Sequence, residues 1–175
     1  MSAAPLPDDD WLAQLDFEAV ADPDDKLSEC EFFFGLMSAE VDRERFRWLA
    51  SAFLNAAYSF FESSALMAFL RFTDKEGEPI ADHHALDVLG RYVNVERRGR
   101  RRDFVKTTPL HPLTEQLYQF RRKTTHHYSL SVMIAGPSLP ADFHFGSTRR
   151  QGVPVIKLCG DVIELVRRVQ QEIDE

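Results

Sequence analysis

From about Ala39 to Phe72 one row of positions, Phe46, Leu49, Phe53, Ala57, Phe60, Ser64 and Met67, falls at steps of three and four. That spacing lays a continuous stripe along a helix of roughly nine turns. A second row, Ser51, Ala52, Asn55, Ala56, Ser59 and Ser63, carries small side chains that let another backbone approach closely. A helix this long must be packed on several sides, so the rest of the chain is expected to be built around it.

The remaining segments supply candidate partners. Lys26 to Met37 places Leu27, Cys30, Phe34 and Met37 along one helical face, although Phe32 to Phe34 also suits a strand. Pro112 opens a further helix to about Thr125, with Leu113, Leu117, Phe120 and Thr124 as its stripe. The last helix is expected from about Asp161 to Asp174, on Val162, Leu165, Val166, Val169 and Ile173. Between these, Thr73 to Leu110 reads as a long polar connection broken by Gly77, Pro79, Gly90, Gly99 and Pro109, with one short helix at His84 to Val93. Tyr128 to Ile134, Phe143 to Phe145 and Val153 to Leu158 are short β-prone pieces. The expected architecture is mainly α: a bundle of four or five helices with a small β-hairpin-like appendage near the C-terminus, in residues 128–160.

At 175 residues one core suffices. Residues 1–25 are expected to form an irregular acidic arm around Trp11, Leu12, Leu15 and Phe17, and residues 26–175 a single domain. The chain carries fourteen phenylalanines, and its core is expected to be rich in them. No apolar run approaches the roughly 18 residues of a membrane span. The first residues carry no basic and apolar signal pattern, so a cytoplasmic location is expected. Cys30 and Cys159 match no metal-ligand spacing and are expected to be free, buried thiols.

The net charge of −7 opposes general adhesion to nucleic acid, but its distribution is uneven. Acid collects at Asp8 to Asp10 and at Asp22, Asp24 and Asp25, while base collects at Arg97, Arg98, Arg100, Arg101 and Arg102 and again at Arg121, Arg122 and Lys123. The first basic run is either a clamp for nucleic-acid phosphates, with Arg122 adding to it, or a solvated loop that partners the acidic arm. The second belongs to Phe120-Arg-Arg-Lys-Thr-Thr-His-His127, where a permanent cation and a group titrating near neutrality lie a few residues apart. Those are the two needs of metal-free cleavage of an RNA backbone. Imidazole can take the proton of the 2′-hydroxyl or give one to the leaving oxygen, and guanidinium can stabilise charge on the phosphoryl group.

The spacing Arg121-x4-His126 is similar to the Arg-x(4 to 6)-His signature of the HEPN family. The stretch Phe46-Arg-Trp-Leu-Ala-Ser-Ala-Phe-Leu-Asn-Ala-Ala-Tyr-Ser-Phe60 resembles the long second helix of bacterial HEPN-like proteins. Together these cover about Lys26 to Tyr128. The resemblance implies a helical bundle acting as a metal-independent endoribonuclease or RNA-binding protein of toxin or defence type, with no cofactor. It further implies a homodimer in which each protomer supplies its Arg and His, and a neutralising or neighbouring protein partner. Arg121 and His126 carry the roles of phosphate holder and acid/base. The doubled residues leave Arg122 and His127 as the other register, although Arg121 lies beside the Leu117 and Thr124 stripe and Arg122 opposite it. Residues five apart on one straight helix point about 140° from each other. The two side chains therefore converge only if the helix ends between them or if two chains contribute.

Asp82, His83 and His84, or His111, His126, His127 and His144, match no HExxH or Cys/His spacing, so no metal site is expected. Phosphate-binding Gly-rich loops and Gly-x-Ser-x-Gly elbows are missing as well. The rival reading is a non-catalytic helical module that binds a protein partner.

Overall fold

A computed structural model of the protein describes residues 23–74, 76–80, 83–97, 105–126, 130–134, 136, 139–146 and 152–175. The first 22 residues, and with them the expected arm, lie outside the described residues. Among the described residues the chain is mainly helical, with two small antiparallel sheets.

The hairpin α1 (Pro23–Ala39) and α2 (Arg43–Phe72) forms the frame. Pro23 suits the first turn of a helix because its missing N–H has no partner to lose there. The helix runs through Phe32 to Phe34, which excludes the strand alternative. The Asp42 carboxylate caps α2 by accepting from the amides of Glu44 at 3.0 Å and Arg45 at 2.9 Å. At the other end the Thr73 hydroxyl donates to the Phe69 carbonyl at 2.6 Å.

The expected stripe of α2 is fully buried at Phe46, Phe53, Ala57, Phe60 and Ser64, and half-buried at Leu49 and Met67. A second buried row, Ala50, Leu54, Phe61, Ala65 and Ala68, widens the apolar face beyond one stripe. This width is needed because α1, α5 (Val155–Asp174), α4 (Pro112–His126) and β2 (Val105–Pro109) all pack on α2. Of the small-residue row only Ala56 is buried; Ser51, Ala52, Asn55, Ser59 and Ser63 remain half-exposed.

Three expectations are corrected. The polar connection carries more than α3 (His84–Leu89): β1 (Val93–Arg97) pairs antiparallel with β2, Val95 opposite Thr107. Alternating β-branched residues and the buried Tyr92, Val93 and Thr107 anchor this ribbon, outweighing its Gly and Pro. Val155 to Leu158 is the first turn of α5 and not a strand, and the terminal helix starts at Val155, not Asp161. There Val155, Leu158, Cys159, Val162, Val166 and Val169 form a buried helical stripe that overrides the β-propensity of their neighbours. Lastly, the helix α1 begins at Pro23, inside the segment assigned to the arm.

The β-prone region does form a three-stranded antiparallel sheet, β3 (Val132–Ile134), β4 (Phe143–Phe145) and β5 (Val153–Pro154), with β4 central. It is less an appendage than a wall of the core. The ring of Phe143 lies 4.2 Å from that of Phe46, and that of Phe145 lies 4.6 Å from that of Phe120. A Cβ at Gly152 would come within 2.8 Å of the His144 Cβ, so β5 approaches β4 only because that position is glycine. No helix among the described residues is long and apolar enough to cross a membrane.

Candidate functional site

The helix that carries the Arg/His motif begins with a reciprocal cap. His111 Nδ1 accepts from the Leu113 amide at 3.3 Å, and Thr114 Oγ1 accepts from the His111 amide at 3.2 Å. The buried Thr114 hydroxyl also lies 2.9 Å from the Tyr92 carbonyl, which ties the start of α4 to the base of the β1–β2 ribbon. One turn on, Leu117 is buried, and Phe120 packs on Phe145. The helix therefore has a fixed rotation, and that rotation decides which cation faces inward.

Arg121 faces inward. Its guanidinium carbon sits 4.4 Å from the centroid of the Tyr58 ring on α2, within cation–π range. Tyr58 is buried, packs its ring 5.9 Å from that of Tyr118, and shares a 3.3 Å hydrogen bond with the Thr107 hydroxyl of β2. Burial pushes the Tyr58 phenol above the usual tyrosine range. The Thr107 hydrogen bond pulls it back, the Glu62 charge adds to the rise, and the Arg121 charge opposes it. Three elements, α2, α4 and β2, thus meet at Tyr58. Arg122 is exposed, as its place on the far side of the stripe requires. Lys123 extends back over Phe120, its ammonium 5.2 Å from the ring centroid.

α4 continues through His126. Arg121 and His126 therefore stand about 140° apart around one unbroken helix, and the condition that the helix end between them is not met. Their convergence needs a second chain. The side chain of His126, the whole of His127, the side chain of Arg97, and Arg98, Arg100, Arg101 and Arg102 lie outside the described residues. Arg97 is the last residue of β1 and Val105 the first of β2, so the basic run lies in the sequence between the two strands.

The other histidines are dispersed. His83 Nδ1 lies 2.8 Å from the Ile80 carbonyl, His84 Nε2 lies 2.8 Å from the Glu172 carbonyl, and His144 Nδ1 lies 2.8 Å from the Asp142 carbonyl. With His111 capping α4, each is used by its own backbone surroundings. Among the described residues no three His, Cys, Asp or Glu side chains gather as metal ligands.

Sequence reasoning missed Tyr58, Glu62, Thr107 and Tyr118. A signal existed for Tyr58, a polar aromatic amid the buried positions of α2, but the residue that meets it is set by tertiary packing. Searches against family models, curated proteins and solved structures return no match to this chain.

Proposed function

We propose that this chain is a metal-independent endoribonuclease, or an RNA-binding protein, of the HEPN-like kind. It acts in the cytoplasm as a homodimer with a toxin or defence role and a neutralising or neighbouring protein partner. The observation that carries the reading is the placement of Arg121 over Tyr58. A guanidinium held against an aromatic ring loses little further freedom when it meets a phosphate, so its charge is preorganised.

In this reading Arg121 holds the scissile phosphate, and His126, or His127 in the other register, exchanges the proton. The 2′-oxygen attacks phosphorus while the bond from phosphorus to the 5′-oxygen breaks. The 2′-hydroxyl proton ends on the leaving 5′-oxygen, and the products are a 2′,3′-cyclic phosphate and a 5′-hydroxyl. Arg97, Arg98, Arg100, Arg101, Arg102 and Arg122 supply backbone contacts, which makes binding fall steeply with salt.

The test is cleavage of a labelled mixed-sequence RNA in EDTA at low salt, comparing wild type with Arg121→Ala, His126→Ala and His127→Ala, each checked by circular dichroism. The expected result is chelator-resistant cutting with cyclic phosphate ends. Arg121→Ala should lower the rate about 10²- to 10³-fold, and loss of the acid/base histidine about 10²- to 10⁴-fold. Equal cutting by all variants, or none at any salt, would remove the enzyme assignment.

A specific observation favours the second reading, a non-catalytic interaction module. Phe32, Leu36, Val41 and Trp48 are all exposed around the α1–α2 turn, and exposed apolar surface of this kind suits a protein partner without any need for the Arg and His to act.

A further inference from the structure

The buried stripe of α2 ends in small side chains, Ser64 and Ala68 after Phe60, and Ala85 of α3 adds a third. Their size leaves a cavity of about 180 Å³ between the end of α2, α3 and the last turns of α5. Interiors are close-packed, and a void of this size is not filled by chance. Leu89 completes its buried floor, Met67, Phe72 and Ile173 form half-buried walls, and the exposed Arg71 and Asp174 stand at its mouth.

Two oxygens of this lining have no hydrogen-bond partner. Ser64 is only 4% exposed, and its hydroxyl, which could bond the carbonyl four residues back, meets none. Gln170 turns its Nε2 to the Asp174 carboxylate, at 3.1 and 3.3 Å, which leaves the unpartnered Oε1 on the buried side. A buried polar atom left unpaired costs free energy, and a water or a ligand ordinarily removes that cost. At the mouth, neither Arg71 nor Asp174 forms an ion pair among the described residues. Arg71 in the last turn of α2 suits the negative end of the helix. That explains a cation there but neither orphaned oxygen.

We propose that the cavity binds a free α-amino acid with an aromatic side chain, tyrosine in preference to phenylalanine. The charges at the mouth select a zwitterion: its carboxylate meets Arg71, and its ammonium meets Asp174 and donates to Gln170 Oε1. A fatty acid would set its charge against Asp174 and leave Oε1 without a donor, and a simple amine would set its charge against Arg71. The ring lies on Met67, Ala68 and Leu89, and the Ser64 hydroxyl, donor and acceptor at once, serves a phenol at its tip. The size agrees, since an apolar cavity of roughly 150 Å³ takes benzene. Phe72, Ala85 and Ile173 also border an adjoining depression of about 350 Å³ that reaches His84 and Glu175, which gives the ligand a path from solvent. This site shares no residue with the Tyr58–Arg121 pair and stands whether or not the chain cleaves RNA.

Calorimetry on the full chain should give a one-to-one complex with tyrosine and a dissociation constant of about 0.1 mM. Phenylalanine should bind about 5-fold more weakly. Tyramine, which lacks the carboxylate, and 3-(4-hydroxyphenyl)propanoate, which lacks the ammonium, should each lose at least about 10-fold. Arg71→Ala should bind tyrosine and tyramine equally, Asp174→Asn should bind tyrosine and the propanoate equally, and Ser64→Ala should no longer distinguish tyrosine from phenylalanine. Each comparison is made within one variant, so a change in folding, checked by circular dichroism, does not imitate it. No heat with either amino acid at 2 mM overturns the proposal. Equal binding of all four compounds by the wild type reduces the site to an apolar void and overturns it as well. If no ligand binds and Ala68→Met shifts the emission of Trp11 in a Trp48→Phe background, the cavity belongs to the chain's own first 22 residues and the proposal fails.

Discussion

Arg121 and Arg122 are adjacent and chemically identical, yet one is held over an aromatic ring and the other is exposed. The difference is a 100° step around α4, fixed by the burial of Leu117 one turn after the Thr114 anchor. The stacked pair is open to titration. Tyr58 ionises above the ordinary tyrosine value of 10 because its phenol is buried, while the Arg121 charge opposes the rise. Arg121→Ala should therefore move Tyr58 further up, read as the 295 nm absorbance difference from Tyr58→Phe. The unfolded chain ionises at the ordinary value, so this tyrosine's contribution to stability is intact below pH 10 and is lost as pH rises through its folded value. Tyr58→Phe should flatten that alkaline decline.

The cysteines behave in the same direction. Burial pushes the Cys30 thiol up to about 12 and Cys159 higher still. Both should be silent to a thiol reagent at pH 8 in the folded protein and react as two equivalents in denaturant. Rapid reaction of either in native buffer would contradict their burial.

At the scale of elements, α2 is long enough to be nucleated from its capped end. Asp42 satisfies two amides that the helix cannot, and Asp42→Ala should cost about 1 kcal/mol by urea denaturation. A glutamate there reaches those amides poorly and should recover only part of the loss. The β1–β2 ribbon and the first turn of α5 show the opposite situation, where local propensity misleads. Val153 to Leu158 is β-prone by composition, yet from Val155 on its apolar positions continue the α5 stripe and are worth more buried against α1 and α2 than paired in a sheet. Thr73 to Leu110 looked like a connection because Gly and Pro punctuate it; those residues mark its turns and ends, while Val93, Val95, Val105 and Thr107 form strands between them.

For the whole molecule, the three-stranded sheet and the helices share one core. Phe46 from α2 and Phe143 from β4 are both fully buried and in ring contact, and the half-buried Phe120 of α4 stacks on the buried Phe145 of the same strand. Phe143→Ala should therefore destabilise the protein by about 3–5 kcal/mol. Unfolding should stay a single transition whether followed by helical circular dichroism or by a probe on β4. Two transitions would show that the sheet folds apart from the bundle.

The residues alone determined the helical class, the long α2, the stripe of α4, and the candidacy of Arg121 over Arg122, because each depends on spacing within one segment, and a 3.6-residue period is legible without knowing its neighbours. Only the tertiary structure decided what surrounds Tyr58, since Arg121, Tyr118 and Thr107 lie well away from it in the chain and are brought to it by the packing of α4 and β2 on α2. It also decided which face of α2 stays open: the small row was readable as a close-packing surface, but α1, α5 and α4 take up the other sides, and burial is a property of neighbours that no single segment encodes.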